Sequence, residues 1–323
     1  MPADPFLSTL RISMIFSCMF IAARSDFQTL SVRDMHWKIW AIPATIILVF
    51  ETASTNSGFA NLLTISAMIA VFSTCFYRIP ELRSFRDWQR EQVTLSLIYL
   101  IGIAGIFLGG IEYSDTDFVN LILGEESNET MLWWGSLGAI LTMVLYLSAW
   151  KARIIPGGAD VKALILVTLF FPSWAFIPEQ MYFSGENTFR IPPSMALFLW
   201  AGASFIIAAP IIFLSNVARG DVSTAPDFKM AWHATKKPVS RIIAGPSWIL
   251  TEVAGTEDEP RVVNRILPSN PSSSGSIQEE LERLESMGVE EAWVATKHPF
   301  LVYLFFALFP LLLLGDPLAY LLK

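Results

Sequence analysis

Long apolar runs alternate with short polar connections along most of the chain. The runs cover residues 6–23, 35–55, 59–77, 93–111, 131–150, 161–177, 194–218 and 300–322. Each is close to the length an α-helix needs to cross the roughly 30 Å hydrocarbon core of a bilayer. Helix is the expected form, because lipid offers backbone N–H and C=O groups no other partner. Pro210 is predicted to kink the seventh run. Asn56-Ser57-Gly58 predicts a tight turn between the second and third. The first run follows an acidic leader and is followed at once by Arg24, so it reads as a retained span and not a cleaved signal. Arg11 lies inside it and is predicted to snorkel towards the near interface.

One long polar segment, 220–297, interrupts the pattern. Within it, 268–275 is rich in Pro, Ser, Gly and Asn and reads as a linker. Ser276 followed by Glu279 forms a capping box. It predicts an amphipathic helix over 277–287 with Ile277, Leu281 and Leu284 on one face and Gly288 at its end. Short strands are expected around Arg241-Ile242-Ile243 and Trp248-Ile249-Leu250. The expected architecture is an all-α polytopic membrane protein of about eight transmembrane helices. Residues 1–219 hold seven spans, 220–297 form a small cytoplasmic domain, and 298–323 hold the last span.

Composition agrees with the pattern. The chain is 53% hydrophobic and 16% charged, where soluble domains are about a quarter charged. A net charge of −7 argues against general nucleic-acid binding. Cys18 and Cys75 both fall in apolar runs, which leaves no disulfide framework or Cys-x-x-Cys metal site. His36, His233 and His298 are far apart and make no zinc pattern. Neither a metal nor a cofactor is expected. Asn128-Glu129-Thr130 fits an N-glycosylation triplet.

Charge changes the picture more. Of the 22 Lys and Arg residues, nineteen fall in or at the edges of four alternate connections, while the intervening ones hold only Arg190. The positive-inside rule puts those four connections in the cytoplasm and both chain ends outside. Arg78, Arg83, Arg86 and Arg90 are explained by this topology signal or by lipid headgroups. Two aspartates then share the cytoplasmic face. Asp26 ends the first run, and Asp160 follows the break Pro156-Gly157-Gly158-Ala159 at the mouth of the sixth. An ionisable residue at a broken span is a functional-site candidate, although Asp160 also suits a helix cap. Two close carboxyls can share one proton. One then acts as general base on a water while the other polarises a peptide carbonyl.

These residues carry a resemblance. Asp26, Val32 and Asp34 stand where archaeal preflagellin and type IV prepilin peptidases carry their first site, Asp-x-x-x-x-x-(Ile/Val)-x-(Asp/Asn). Gly157-Gly158-Ala159-Asp160, with Lys162 beyond it, is similar to their Gly-x-Gly-Asp signature, with Ala159 in place of the second glycine. Trp293 to Phe300 resembles the entry to the final span of preflagellin peptidases. The resemblance implies a membrane aspartyl protease with Asp26 and Asp160 as its catalytic pair. Gly157 and Gly158 would let backbone approach the substrate, and Lys162 and Asp34 would support the site. It implies precursors with type IV pilin-like signal peptides as partners, cut at the cytoplasmic face. Compact members carry one span pair between the aspartates; two pairs are expected here, which preserves the sidedness of the site. With no cysteine-bearing domain ahead of the first run, N-methylation is not expected.

Other readings fit the same residues. Asp34 reads more readily as an interfacial carboxylate paired with Arg33 or Lys38 than as a catalytic group, and Lys162 equally as a positive-inside charge. A transporter predicts broken helices near the midplane and an inverted repeat; the one clear break here lies near an interface. A non-catalytic scaffold of a pilus or secretion apparatus needs neither aspartate. A presenilin-like protease predicts Tyr-Asp and Pro-Ala-Leu elements, and Asp26 follows Ser25.

Overall fold

The computed structural model describes residues 4–55, 57–79, 90–155, 157–178, 190–242, 247–254, 261–266, 274–296 and 299–321. Asn56, Pro156, Arg83, Arg86, most of the 268–275 linker and the pair Lys297-His298 lie outside the described residues.

The protein is mostly helical, and each apolar run contains a helix. In chain order these are α1 (Pro5–Thr29), α2 (Asp34–Ser54), α3 (Phe59–Ser73) and α4 (Arg90–Glu112), then a short α5 (Phe118–Leu123). There follow α6 (Asn128–Lys151), α7 (Gly158–Phe170), α8 (Pro193–Ala218), α9 (Ala225–Met230), α10 (Ser274–Ser286), α11 (Phe300–Leu314) and α12 (Leu318–Leu321). Four of them, α1, α4, α6 and α8, are long and apolar enough to cross a membrane. Helix α8 continues through Pro210.

The chain forms two compact units. The first comprises Met1–Asp26, Ser31–Ala201 and Phe300–Lys323. Its centre is α7, which packs against α2, α3, α6 and α11. Val161 and every residue from Ala163 to Phe170 are buried, as expected of a helix that is apolar on all sides. It has 13 residues, about 20 Å of helix, and ends before the sixth run does. Phe171 precedes Pro172, and a residue before proline is pushed out of the α region; Phe171 has φ −129° and ψ 78°. A 3-10 turn, Trp174–Phe176, follows. The last run is likewise two helices instead of one. Gly315, at φ 77°, ends α11 in the left-handed conformation that favours glycine. Its N–H donates to the carbonyls of Pro310 and Leu311. Helix α4 lies close against α3, since a Cβ on Gly105 would come within 2.4 Å of the Thr64 nitrogen.

One sequence-based expectation fails here for a physical reason. Arg11 does not snorkel. It is fully buried, paired with Glu51 of α2, with its guanidinium 4.6 Å above the Phe176 ring. A carboxylate from the neighbouring helix replaces water as its partner. The glycosylation triplet opens α6, where Ser127 caps the helix by accepting from the Thr130 N–H. The Thr130 hydroxyl is 2.8 Å from that of Ser127, so the triplet is engaged in a helix start.

The second unit is Phe27–Leu30 with Gly202–Pro299. It begins inside α8, well before residue 220. It contains β1 (Thr235–Pro238), β2 (Ser247–Ile249), β3 (Thr251–Ala254), β4 (Arg261–Asn264) and β5 (Glu291–Thr296). Strand β5 is central in an antiparallel sheet ordered β1-β5-β2, and β3 pairs with β4. The strand expected at Arg241 is a 3-10 turn, Val239–Arg241, entered from Pro238, which has no N–H for a ladder. The predicted amphipathic helix is α10, which begins at Ser274 instead of 277. It lays Leu281 and Leu284 on Val239, Ile242, Ile249 and Val294, and Gly288 at φ 71° follows its end.

Asp227 fastens this unit together. It completes a capping box with Thr224 at the start of α9. Its Oδ1 accepts from the Trp293 indole at 3.0 Å and faces Lys236 at 3.6 Å. Burial alone would raise its carboxyl. Hydrogen bonds from Thr224, Trp293 and Ser223, with the Lys236 charge, outweigh burial and hold it at about 2. A depressed carboxyl stabilises the fold above its unfolded value of about 3.9, and the contribution is lost as pH falls through about 2. Asp227→Asn is therefore expected to speed hydrogen exchange in β5 at neutral pH. The difference from wild type should shrink with acid, and equal exchange at neutral pH refutes it.

Candidate active site

Asp26 lies in the last turn of α1 and is 7% exposed. The backbone amide of Leu301, in the first turn of α11, faces its carboxyl. Free N–H groups and the positive end of the helix dipole gather at such a terminus. Asp160 lies in the first turn of α7. Its Oδ2 folds back over Gly157, so that a Cβ there would come within 1.9 Å of it. A Cβ on Gly158 would come within 2.9 Å of the Trp150 ring. Both glycines therefore leave room for side chains of the chain itself, Gly157 for the Asp160 carboxyl and Gly158 for the Trp150 ring. Among the described residues, Leu30 (φ 52°) and Arg153 (φ 59°) are the non-glycines with positive φ. They follow the ends of α1 and α6, the helices that lead from Asp26 and towards Asp160, and each stores about 1 kcal/mol of strain.

The fold brings the two aspartates within electrostatic reach of each other. Each carboxyl sits at a helix N-terminus, Asp160 at α7 and Asp26 at α11, and these two helices pack together. This arrangement concentrates two acids where backbone donors can share their charge.

Lys162 and Asp34 form a pair of their own at 2.5 Å, with side chains 12% and 57% exposed. Asp34 opens α2 and Lys162 lies one turn into α7, and the two helices pack side by side. Asp34 was expected to pair with Arg33 or Lys38. Lys38 instead donates to the Tyr77 hydroxyl at 2.9 Å. The Lys162 ammonium also lies 5.2 Å from the Phe76 ring and 5.7 Å from Trp150. Of the third motif, Trp293 is a core residue of the second unit, whereas Phe300 and Leu301 open α11 beside Asp26. The Leu301 amide had no signal in the sequence, because any residue supplies one. Trp150, at the end of the fifth run, was legible only as an interfacial aromatic.

No protein-family model matches the chain, and no curated protein matches it.

Two measurements separate these roles. In Gly157→Ala the Asp160 carboxyl must rotate away while its Cβ, 3.4 Å off, can stay. Thermal stability should change little, while any activity of Asp160 falls about 100-fold, as misplacement by about 1 Å does. Full activity would show that Asp160 need not hold this rotamer. Asp34→Asn removes half of a pair that is open to solvent at one end, worth about 1 kcal/mol or less. It should lower stability slightly and activity only a fewfold. Reversing both charges should restore what is lost; a loss as large as that of Asp160→Asn would put Asp34 among the reacting groups.

Proposed function

We propose that the chain is a membrane-embedded aspartic endopeptidase with a Gly-x-Gly-Asp-like site. Its substrates are archaellin or type IV pilin-like precursors, cut just before their hydrophobic helix at the cytoplasmic face. The observation that carries this reading is the electrostatic coupling of Asp160 to Asp26, each beside the start of a helix. The reading takes all eight apolar runs as membrane segments, with both chain ends outside, on the alternation of Lys and Arg. The third, sixth and eighth segments are short helices, but α7 is enclosed by protein and needs no full span of its own.

In this mechanism the pair holds one proton. The ionised carboxyl takes a proton from water, whose oxygen attacks the scissile carbonyl. The protonated carboxyl donates to the carbonyl oxygen. Collapse re-forms the carbonyl, returning a hydroxyl proton to the pair, and breaks the C–N bond as the proton taken from water passes to the leaving nitrogen. The Leu301 amide fixes the orientation of Asp26, and the fold over Gly157 fixes that of Asp160. The Asp34–Lys162 pair ties the N-terminal part of α7 to the start of α2.

A scaffold reading draws on the same contacts, since Asp26 also faces the first turn of α11 and Asp160 lies as a helix-start carboxylate does. It makes both residues structural and leaves nothing to cleave. The deciding experiment is incubation of the purified protein with a synthetic precursor bearing a basic n-region and a hydrophobic helix, with products identified by mass spectrometry. A single cut before the helix supports the peptidase, and an intact precursor across the pH range in which the protein stays folded refutes it.

A further inference from the structure

We propose that the face of the second unit formed by Phe213, Phe228 and Trp232 is seated in the headgroup layer of the lipid bilayer, so that this unit rides on the membrane surface. The inference rests on α8 being a membrane helix and not on the peptidase reading.

Helix α8 has 26 residues and is long and apolar enough to cross a membrane. That is about 39 Å of helix, close to the full thickness of a bilayer with its headgroups. It stays apolar on its exposed side almost to its end, through Ile206, Ile207, Ile211, Leu214 and Val217. The rest of the second unit is bolted to that end. Asn216, fully buried, donates from its side-chain amide to the carbonyl of Ala231 at 2.8 Å and of Ala234 at 2.7 Å. Three residues earlier, Phe213 stacks on Trp232 with centroids 4.4 Å apart and planes 17° off parallel. Phe228 meets Phe213 edge-on at 5.2 Å.

This geometry sets a depth. Phe213 precedes the end of α8 at Ala218 by five residues, about 8 Å of helix. Trp232 lies beside it, so it shares the level at which headgroups give way to acyl chains. Yet Trp232 is 40% and Phe228 50% exposed, which makes an uncovered aromatic patch continuous with the lipid-facing side of α8. Indole and phenyl rings concentrate at this level in membrane proteins. Lys229, exposed beside Phe228, adds a cation suited to anionic headgroups. A surface of aromatic rings edged by lysine, at this depth, fits the bilayer interface.

The test uses full-length protein with Cys18 and Cys75 replaced by alanine, in vesicles of phosphatidylcholine and phosphatidylglycerol. Nitroxide labels are placed singly at positions 228, 229 and 232. Power saturation then compares collisions with oxygen, which partitions into lipid, against a water-soluble nickel chelate. Position 229 removes no aromatic ring, so it reports even if a substitution at 228 or 232 disturbs the fold. Labels at all three positions are expected to favour oxygen several-fold over a label at Glu282, on the exposed side of α10. A label at Ile207 must favour oxygen more strongly still. Nickel access at 228, 229 and 232 equal to that at 282 overturns the proposal. So does shielding from both reagents, which means a protein partner covers the face. A water-exposed label at 207 overturns it too, by removing α8 from the bilayer.

Discussion

Asp26→Asn and Asp160→Asn should each abolish precursor cleavage, by at least about 10³-fold, and the double variant should be no worse than either alone. The non-additivity follows from a shared proton. Once one carboxyl is an amide, the other has nothing to exchange with, and a second substitution removes a group already idle. Asparagine is the right replacement because its carbonyl still accepts from the Leu301 amide that faces Asp26. At position 160 it preserves the shape lying over Gly157. Helix content and thermal stability should therefore stay near wild type while turnover disappears. The scaffold reading gives the reverse, with melting shifts and no turnover to lose. If both single variants cut like wild type, the aspartyl chemistry is wrong. If the double variant is far worse than either single, the two residues act independently and the shared proton is wrong.

The long apolar helices were legible because each lies within a run of apolar residues flanked by polar ones. Their ends were less so. Pro172 after Phe171, and Gly315-Asp316-Pro317 in the last run, are standard stop signals, but hydropathy alone passed over them. The sheet of the second unit was almost invisible. Its strands have three to six residues, too few for alternation to stand out, and it is assembled from segments far apart in sequence. Charge parity put Asp26 and Asp160 on one face, and the fold brings them within electrostatic reach. What the sequence hid were the contacts between elements. Asp34 meets Lys162 and Arg11 meets Glu51 only because α2 packs beside α7 and α1 beside α2. Neighbours in sequence, such as Arg33, were the wrong place to look for partners.

That hidden Arg11–Glu51 pair carries the second large expectation. Arg11→Leu or Glu51→Gln alone should cost about 3–5 kcal/mol, because each leaves the other charge buried without a partner. The Arg11 side chain is 0% and that of Glu51 9% exposed, so water cannot stand in. The pair itself is not expected to be a large net stabiliser. Among the described residues Arg11 Nε makes no hydrogen bond, and an ion pair with unsatisfied donors recovers little of its desolvation cost. Arg11→Leu combined with Glu51→Met should therefore recover most of the loss. Thermal unfolding of the four proteins in detergent, read by loss of the monodisperse peak, closes the cycle. Single variants within about 0.5 kcal/mol of wild type would mean that Arg11 reaches water after all. The double variant also separates stability from chemistry. Arg11 and Asp26 share α1 and are fifteen residues, about 22 Å, apart along it. Cleavage per folded molecule should then match wild type in the double variant. A fall in cleavage without a fall in stability would show that the pair, though remote, sets the position of Asp26 at the start of α11.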